Sequence, residues 1–255
     1  MERKKENMED LLRVTGLMKS FGGLVAVNEV NFHLPGHEIR AIIGPNGAGK
    51  TTFFNLVTGH ISPTKGRIIF RGEDITHLSP AQISRRGISR SFQITNIFPT
   101  FSALENIRIG VQSRNRFHNP FLHVSKLKEE KDKAVKVLKL VGLDGKADVM
   151  APNLSHGDQR RLEIGIALAT RPVLLLLDEP TAGMSPAETA ETAQLIRRIA
   201  REEDLTIVIV EHDMSVVMGV ADTITVFHQG DIIAEGTPEE IRKDEKVQEA
   251  YLRGA

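Results

Sequence analysis

The chain has 255 residues, with 33 basic side chains against 33 acidic ones and no cysteine. That length can bury a sizeable core, as one domain or as a domain with a lobe inserted into it. The neutral balance argues against a nucleic-acid binder working through bulk charge, and the missing cysteines exclude disulfides, thiolate metal sites and cysteine nucleophiles together.

The first ten residues, MERKKENMED, are charged and have no apolar segment behind them, so no signal peptide is expected. Residues 1–9 read as a disordered tail, with Met8 as an alternative start. Two β-rich stretches follow, LLRVTGLMKSF and VNEVNFHLPG, the second closing on a Pro-Gly turn. EIRAIIG is a compact apolar strand running into a glycine-rich turn, and KTTFFNLVTGH continues at helical spacing. GRIIFRGEDI alternates as a further strand, and SPAQISRRG reads as a short helix with Ser79 as N-cap and Pro80 at its first position. From Ile94 to Asn153 the strand signal fades, and SALENIRIGV and KLKEEKDKAVKVLKLVGL are amphipathic helices. PVLLLLDEP and LTIVIVEHD restore buried parallel strands around the helix PAETAETAQLIRRIAREE. TITVFHQGDIIAEG reads as a hairpin turning near Gln229-Gly230, and PEEIRKDEKVQEAYL as one closing helix. The longest strongly apolar run, residues 173–177, is far shorter than the roughly 20 residues a spanning helix needs.

Residues 44–51, Gly44, Pro45, Asn46, Gly47, Ala48, Gly49, Lys50 and Thr51, fit G-x-x-x-x-G-K-[ST] between a strand and a helix, and Thr52 continues the helix. Glycines there let consecutive backbone N–H groups turn inward around phosphate oxygens, and the helix start adds positive potential. Lys50 would reach the β- and γ-phosphates and Thr51 would offer its hydroxyl to Mg²⁺. Roughly one chain in a hundred of this length would match by accident, and the strand–loop–helix setting lowers that chance further.

Asp178 and Glu179 close the strand VLLLLDEP at its C-terminal end, where open parallel sheets present ligands. Asp178 would hold Mg²⁺, and Glu179 would polarise the attacking water; a strand ending in a capping acid is the plainer reading of the pair taken alone. His212 ends the next strand; with 9 histidines in the chain, such a residue by itself is a polar strand end. Gln93 in SRSFQ is uninformative alone. In LSHGDQ, Ser155 and Asp158 fit a capping box that starts a helix.

Taken in order, the phosphate loop, Gln93, LSHGDQ, LLLLDEP and His212 resemble the nucleotide-binding subunit of ABC transporters over essentially the whole chain. The resemblance implies an α/β fold: a P-loop NTPase core with a β-rich N-terminal subdomain and an inserted, mostly helical subdomain. The expected organisation is the tail at 1–9, the nucleotide-binding core with its β-subdomain over 10–93, the helical subdomain with the signature motif over 94–170, and the core's continuation with a C-terminal helix over 171–255. Phe21 in SFGG is then the aromatic that stacks on adenine, Gln93 a residue contacting metal and water, and His212 the switch at the γ-phosphate. Ser155, His156, Gly157, Asp158 and Gln159 form the signature that closes over ATP bound to a second ATP-binding subunit, identical or a paralogue. The usual wording of that signature is Leu-Ser-Gly-Gly-Gln, so His156 replaces a glycine and Asp158 a glutamine, and the imidazole is expected to point away from nucleotide. AGMSPAE occupies the D-loop position without the more usual SALD wording.

More narrowly, GISRSFQITNIFPTFSALENIRIG, LSHGDQRRLEIGIALATRP, EPTAGMSP and VEHDM are similar to ATPase subunits of branched-chain amino acid importers. Urea-type and lipopolysaccharide-export ATPases carry confusable motifs. Non-transport ABC ATPases of DNA repair fit less well, because the Lys50-to-Ser155 interval leaves no room for a long coiled coil. Those of translation usually carry two cassettes. The resemblance implies ATP and Mg²⁺ as ligands, transmembrane permease subunits and, indirectly, a solute-binding protein as partners, no nucleic acid, and a peripheral position on the cytoplasmic face of the plasma membrane. Ile94, Ile97, Phe98 and Phe101 are the expected contact with the permease, though they could equally form the insertion's own core.

Overall fold

A computed structural model describes residues 10–91, 97–113 and 124–252. In chain order the elements are β1 (Leu12–Phe21), β2 (Leu24–Leu34), β3 (Ile39–Ile43), α1 (Lys50–Val57), β4 (Lys65–Phe70), β5 (Glu73–Asp74), α2 (Pro80–Arg86), β6 (Ile88–Arg90), α3 (Ala103–Ser113) and α4 (Val124–Leu140). They continue with α5 (His156–Ala169), β7 (Leu174–Asp178), α6 (Pro186–Glu202), β8 (Thr206–Val210), α7 (Met214–Val220), β9 (Thr223–His228), β10 (Asp231–Gly236), α8 (Pro238–Lys243) and α9 (Glu245–Leu252). The chain divides into two compact units, one joining the residues up to 83 with those from 206 onward, the other the contiguous stretch 84–205.

In the first unit β1, β2, β4 and β5 form an antiparallel sheet in the order β2-β1-β4-β5. Beside it, β3 pairs in parallel with both β8 and β9, and β10 folds back antiparallel on β9. Every residue of β3 and β8 is buried, which is why IRAII and TIVIV read as continuous rather than alternating apolar runs. Phe53 of α1 stands 5.2 Å from Phe32 of β2 and 5.3 Å from Phe227 of β9, centroid to centroid, so one aromatic cluster locks the first helix to strands from both ends of the chain. The buried guanidinium of Arg40 in β3 is satisfied by Glu38, Thr225, Glu235 and the His33 carbonyl.

In the second unit β6 and β7 run parallel, with Arg90 opposite Leu176. Helices α3, α4 and α5 pack on one another. Gly110 allows α3 to approach α5 closely: a Cβ there would meet the Ile166 carbonyl at 2.7 Å and the Ala169 methyl at 2.8 Å. Arg198 of α6 donates to the carbonyl of Leu140 at 2.7 Å, capping the end of α4.

The hairpin turns at Gln229-Gly230 as its sequence indicates. The closing segment, expected as one helix, is two. Asp244 leaves helical geometry with ψ at 118°, and its Oδ1 accepts the N–H groups of Lys246 and Val247, so it ends α8 and starts α9.

Candidate functional site

The phosphate loop belongs to the first unit. Strand β3 ends at Ile43, and the chain turns through Gly44, Gly47 and Gly49, all at positive φ. Gly44 has no room for a side chain, since a Cβ would collide with the Phe227 carbonyl, and one on Gly49, the N-cap of α1 at φ 104°, would collide with the Ala26 carbonyl. A Cβ on Gly47 meets nothing within 4 Å, so that arc of backbone is open to an incoming group. No side chain caps α1 and no acid lies in its first turn, which leaves its N–H groups and its dipole to an anion. Lys50 is only 6% exposed, and its Nζ donates to the carbonyls of Gly44 at 2.7 Å and Pro45 at 3.0 Å, so the ammonium lies folded inside the loop. The loop is braced from the C-terminal hairpin: the Gly230 N–H donates to the Ala48 carbonyl, and the Gly230 carbonyl accepts from Asn28.

Thr51 is exposed and Thr52 half-buried on the first turn of α1. Phe21, 49% exposed at the end of β1, has the Lys19 ammonium 5.0 Å from its ring centroid. His212 is exposed, and its N–H donates to the Glu211 carboxylate at 3.0 Å. Asp213 begins α7 as N-cap, held below the ordinary carboxylate range by hydrogen bonds from the Ser215 hydroxyl and backbone.

The second unit carries the acidic pair and the signature. Asp178 is buried at the end of β7, and its Oδ2 accepts from Nη2 of Arg90 at 2.7 Å. Glu179 follows at φ 48°, a left-handed conformation that a non-glycine residue holds only under local constraint, here directly ahead of Pro180. Ser155 is the N-cap of α5, and its Oγ accepts the Asp158 N–H at 3.2 Å. Only this half of the expected capping box forms. The Asp158 carboxylate does not reach back to the Ser155 N–H; it takes the Ser155 hydroxyl at 2.9 Å and pairs with Lys146. Full boxes form instead where the third residue is the longer glutamate, at Ser185–Glu188 and Thr237–Glu240. Burial raises the Asp158 carboxyl, but the hydrogen bonds and positive charge of Lys146, with Ser155 and Arg161, outweigh it and hold the group low.

Gly157 is buried, with the Glu188 carboxylate 2.9 Å from where a Cβ would stand. His156 is exposed, and its ring edge comes within 3.3 Å of the position a Cβ on Gly183 would take. The two departures in wording, His156 in the signature and Ala182-Gly183-Met184 after the acidic pair, are therefore neighbours. Gln159 ties the helix start to the Leu154 carbonyl at 3.1 Å. Gln93, the tail at 1–9 and Ile94 lie outside the described residues.

Two residues have roles that the motifs did not show. Arg90, three positions before Gln93, holds Asp178. Asn106 is fully buried, accepts the Phe98 N–H at 2.7 Å, and donates to the carbonyls of Phe98, Phe101 and Ser102. It thereby shapes the loop that exposes Phe98 and Phe101, whose rings are 6.1 Å apart. A lone Asn inside an apolar helical pattern, as in ALENIRIGV, was the available signal.

A glycine-rich turn between a buried parallel strand and an uncapped helix is the local geometry that receives a nucleotide's phosphates. The chain belongs to the ABC transporter family, whose pattern matches residues 27–182, as an ATP-hydrolysing subunit of that class. A second pattern, that of branched-chain amino acid ATP-binding cassette transporters, matches residues 232–252. Over nearly its whole length the chain is similar to the high-affinity branched-chain amino acid transport ATP-binding protein LivG of Escherichia coli K12, at 43% identity over 96% of this chain and 98% of that one. BraF of Pseudomonas aeruginosa, of the same description, is 42% identical over 95% and 97%. Among solved structures, a nucleotide-free ATP-binding cassette from an ABC transporter superposes with a TM-score of 0.82 at 31% identity, covering 95% of this chain and 98% of that one. A dimeric post-hydrolysis cassette, MJ0796 bound to ADP and phosphate, gives 0.77 at 26% identity over 89% and 98%.

Proposed function

We propose that the chain powers an importer of branched-chain, hydrophobic amino acids. It would sit peripherally on the cytoplasmic face of the membrane on permease subunits and pair with a second ATP-binding subunit, with a solute-binding protein delivering the cargo. The observation that carries ATP hydrolysis is the phosphate loop, with its buried Lys50 ammonium and uncapped helix start. The importer reading is supported by the full-length similarity to LivG and BraF. Among the described residues no helix is long and apolar enough to cross a membrane; in this reading the permease subunits supply the path.

The residues present fit Mg²⁺ and ATP. Thr51, in the first unit, and Asp178, in the second, each carry an oxygen of the hard kind such an ion takes, and the cradle closed at Gly44 and Gly49 but open at Gly47 leaves backbone donors for phosphate oxygens. Bound Mg²⁺ would neutralise charge on the β- and γ-oxygens. Lys50 would exchange its two carbonyl partners for those oxygens, and Phe21 would offer its exposed face to adenine in place of Lys19. Glu179 would take the proton side of the attacking water and His212 would meet the γ-phosphate. Ser155 and Gly157, at the N-terminus of α5, would close over the γ-phosphate held by the partner subunit. Phe98 and Phe101 would receive a cytoplasmic helix of the permease. Glu179→Gln tests the chemistry. Because a general base is worth about 10²–10⁴-fold, steady-state hydrolysis should fall by that factor while equilibrium binding of a fluorescent ATP analogue is retained. Unchanged turnover removes Glu179 from the mechanism.

A further inference from the structure

Arg90 belongs to none of the phosphate, metal or signature motifs, yet among the described residues it makes the most buried ion pair of the second unit that involves a proposed site residue. Strands β6 and β7 run parallel with Arg90 opposite Leu176, and the Ser91 N–H donates to the Leu176 carbonyl at 2.9 Å. Alternate residues of a strand share a face, so Leu176 and Asp178 point the same way, and Arg90 stands on that face one step behind the carboxylate. Its guanidinium spans the step: Nη2 lies 2.7 Å from Oδ2 of Asp178, with side-chain exposures of 6% and 2%. Two charges so far from water are tolerated only as partners, and removing either leaves the other uncompensated. Asp178 is also the carboxylate assigned above to Mg²⁺. A carboxylate already engaged by a buried, permanently charged guanidinium serves a second cation only by sharing or exchanging partners.

We propose that Arg90 is a positioning residue for the metal site. It is a resident cation that keeps Asp178 aimed and charge-balanced when no metal–nucleotide is bound, and it competes with Mg²⁺ for that carboxylate, setting the Mg²⁺ concentration at which the cassette loads. This rests on the reading of Asp178 as the metal's partner.

The test is thermal unfolding of the full chain titrated with Mg²⁺ at fixed ADP, where no turnover occurs. Arg90→Gln should unfold earlier than the parent without metal, gain more from Mg²⁺, and reach half-saturation at a Mg²⁺ concentration lower by about tenfold or more, as loss of a nearby unit charge requires. Arg90→Lys, keeping the charge without the planar fork, should fall between. A midpoint for Arg90→Gln equal to or above the parent's overturns the inference. If that variant does not fold, the Lys variant decides, an unshifted midpoint overturning it. Asp178→Asn separates the two readings: if it titrates like the parent, Asp178 is not the metal's partner and both fall, whereas if it loses the Mg²⁺ response while Arg90→Gln titrates like the parent, only the role of Arg90 falls.

Discussion

Gly49 shows how narrowly a single position is specified. Its φ of 104° is costly for any residue with a side chain, and a Cβ would drive into the Ala26 carbonyl. Gly49→Ala should therefore destabilise the protein by more than about 2 kcal/mol, read as a lower urea midpoint, and should weaken nucleotide binding as well. Ser155 is the opposite case, an exposed N-cap whose proposed target is nucleotide on a partner subunit. Ser155→Arg should leave monomeric ATP binding intact and abolish hydrolysis, checked by a binding titration beside a phosphate-release assay. At this scale the placement of the glycines and Lys50 between β3 and α1, and of Asp178 and Glu179 at the end of β7, was legible, because apolar runs ending in glycines or acids mark strand ends. Arg90 was not: its partner is far away in sequence, and only the parallel pairing of β6 with β7 brings the two together. Nor was the backbone of Glu179, since no residue type announces a left-handed φ outside glycine and its few imitators.

Among the elements, the longer strands and helices followed their periodicity, whereas the short β6 and α7 were not read from it and GRIIFRGEDI split into β4 and β5; element ends depended on side-chain geometry that spacing alone does not reveal. The start of α5 is an example, where Asp158 is one methylene too short to complete the box that Glu188 and Glu240 complete. The break at Asp244 is another, because a helical pattern continues across it and only its own carboxylate accepting the next N–H groups ends the run. The loop before α3 depends on one buried amide. Asn106→Ala leaves the Phe98 N–H without its acceptor and takes the side-chain donor from three carbonyls that keep a backbone one, and should cost about 1–3 kcal/mol. It should lower permease-stimulated hydrolysis in reconstituted vesicles more than the basal rate of the isolated subunit.

At the scale of the whole molecule, four carboxylates at helix starts share one electrostatic bias. Asp158, Glu188, Asp213 and Glu240 are all held below the ordinary carboxylate value, the last three chiefly by hydrogen bonds from the residues they cap or turn towards. Glu38, raised by burial, is an exception. A group whose folded pKa is depressed adds stability that is complete above its unfolded value and is lost as pH falls through the folded one. Unfolding midpoints in urea should therefore be flat in this contribution above about pH 5 and fall below about pH 4. Asp158→Asn should flatten part of that drop. The discontinuous first unit is held by pairings such as β3 with β8 and β9, which join residues far apart in sequence. Those pairings, with the bonds from Gly230 to Ala48 and Asn28, also govern timing during synthesis. The ribosome releases Lys50 long before the hairpin that braces its loop, whereas residues 84–205 emerge as one uninterrupted stretch. A nascent chain should thus acquire its contiguous unit first and its capacity for nucleotide only near the end of translation, so that prematurely terminated products have no means to consume ATP.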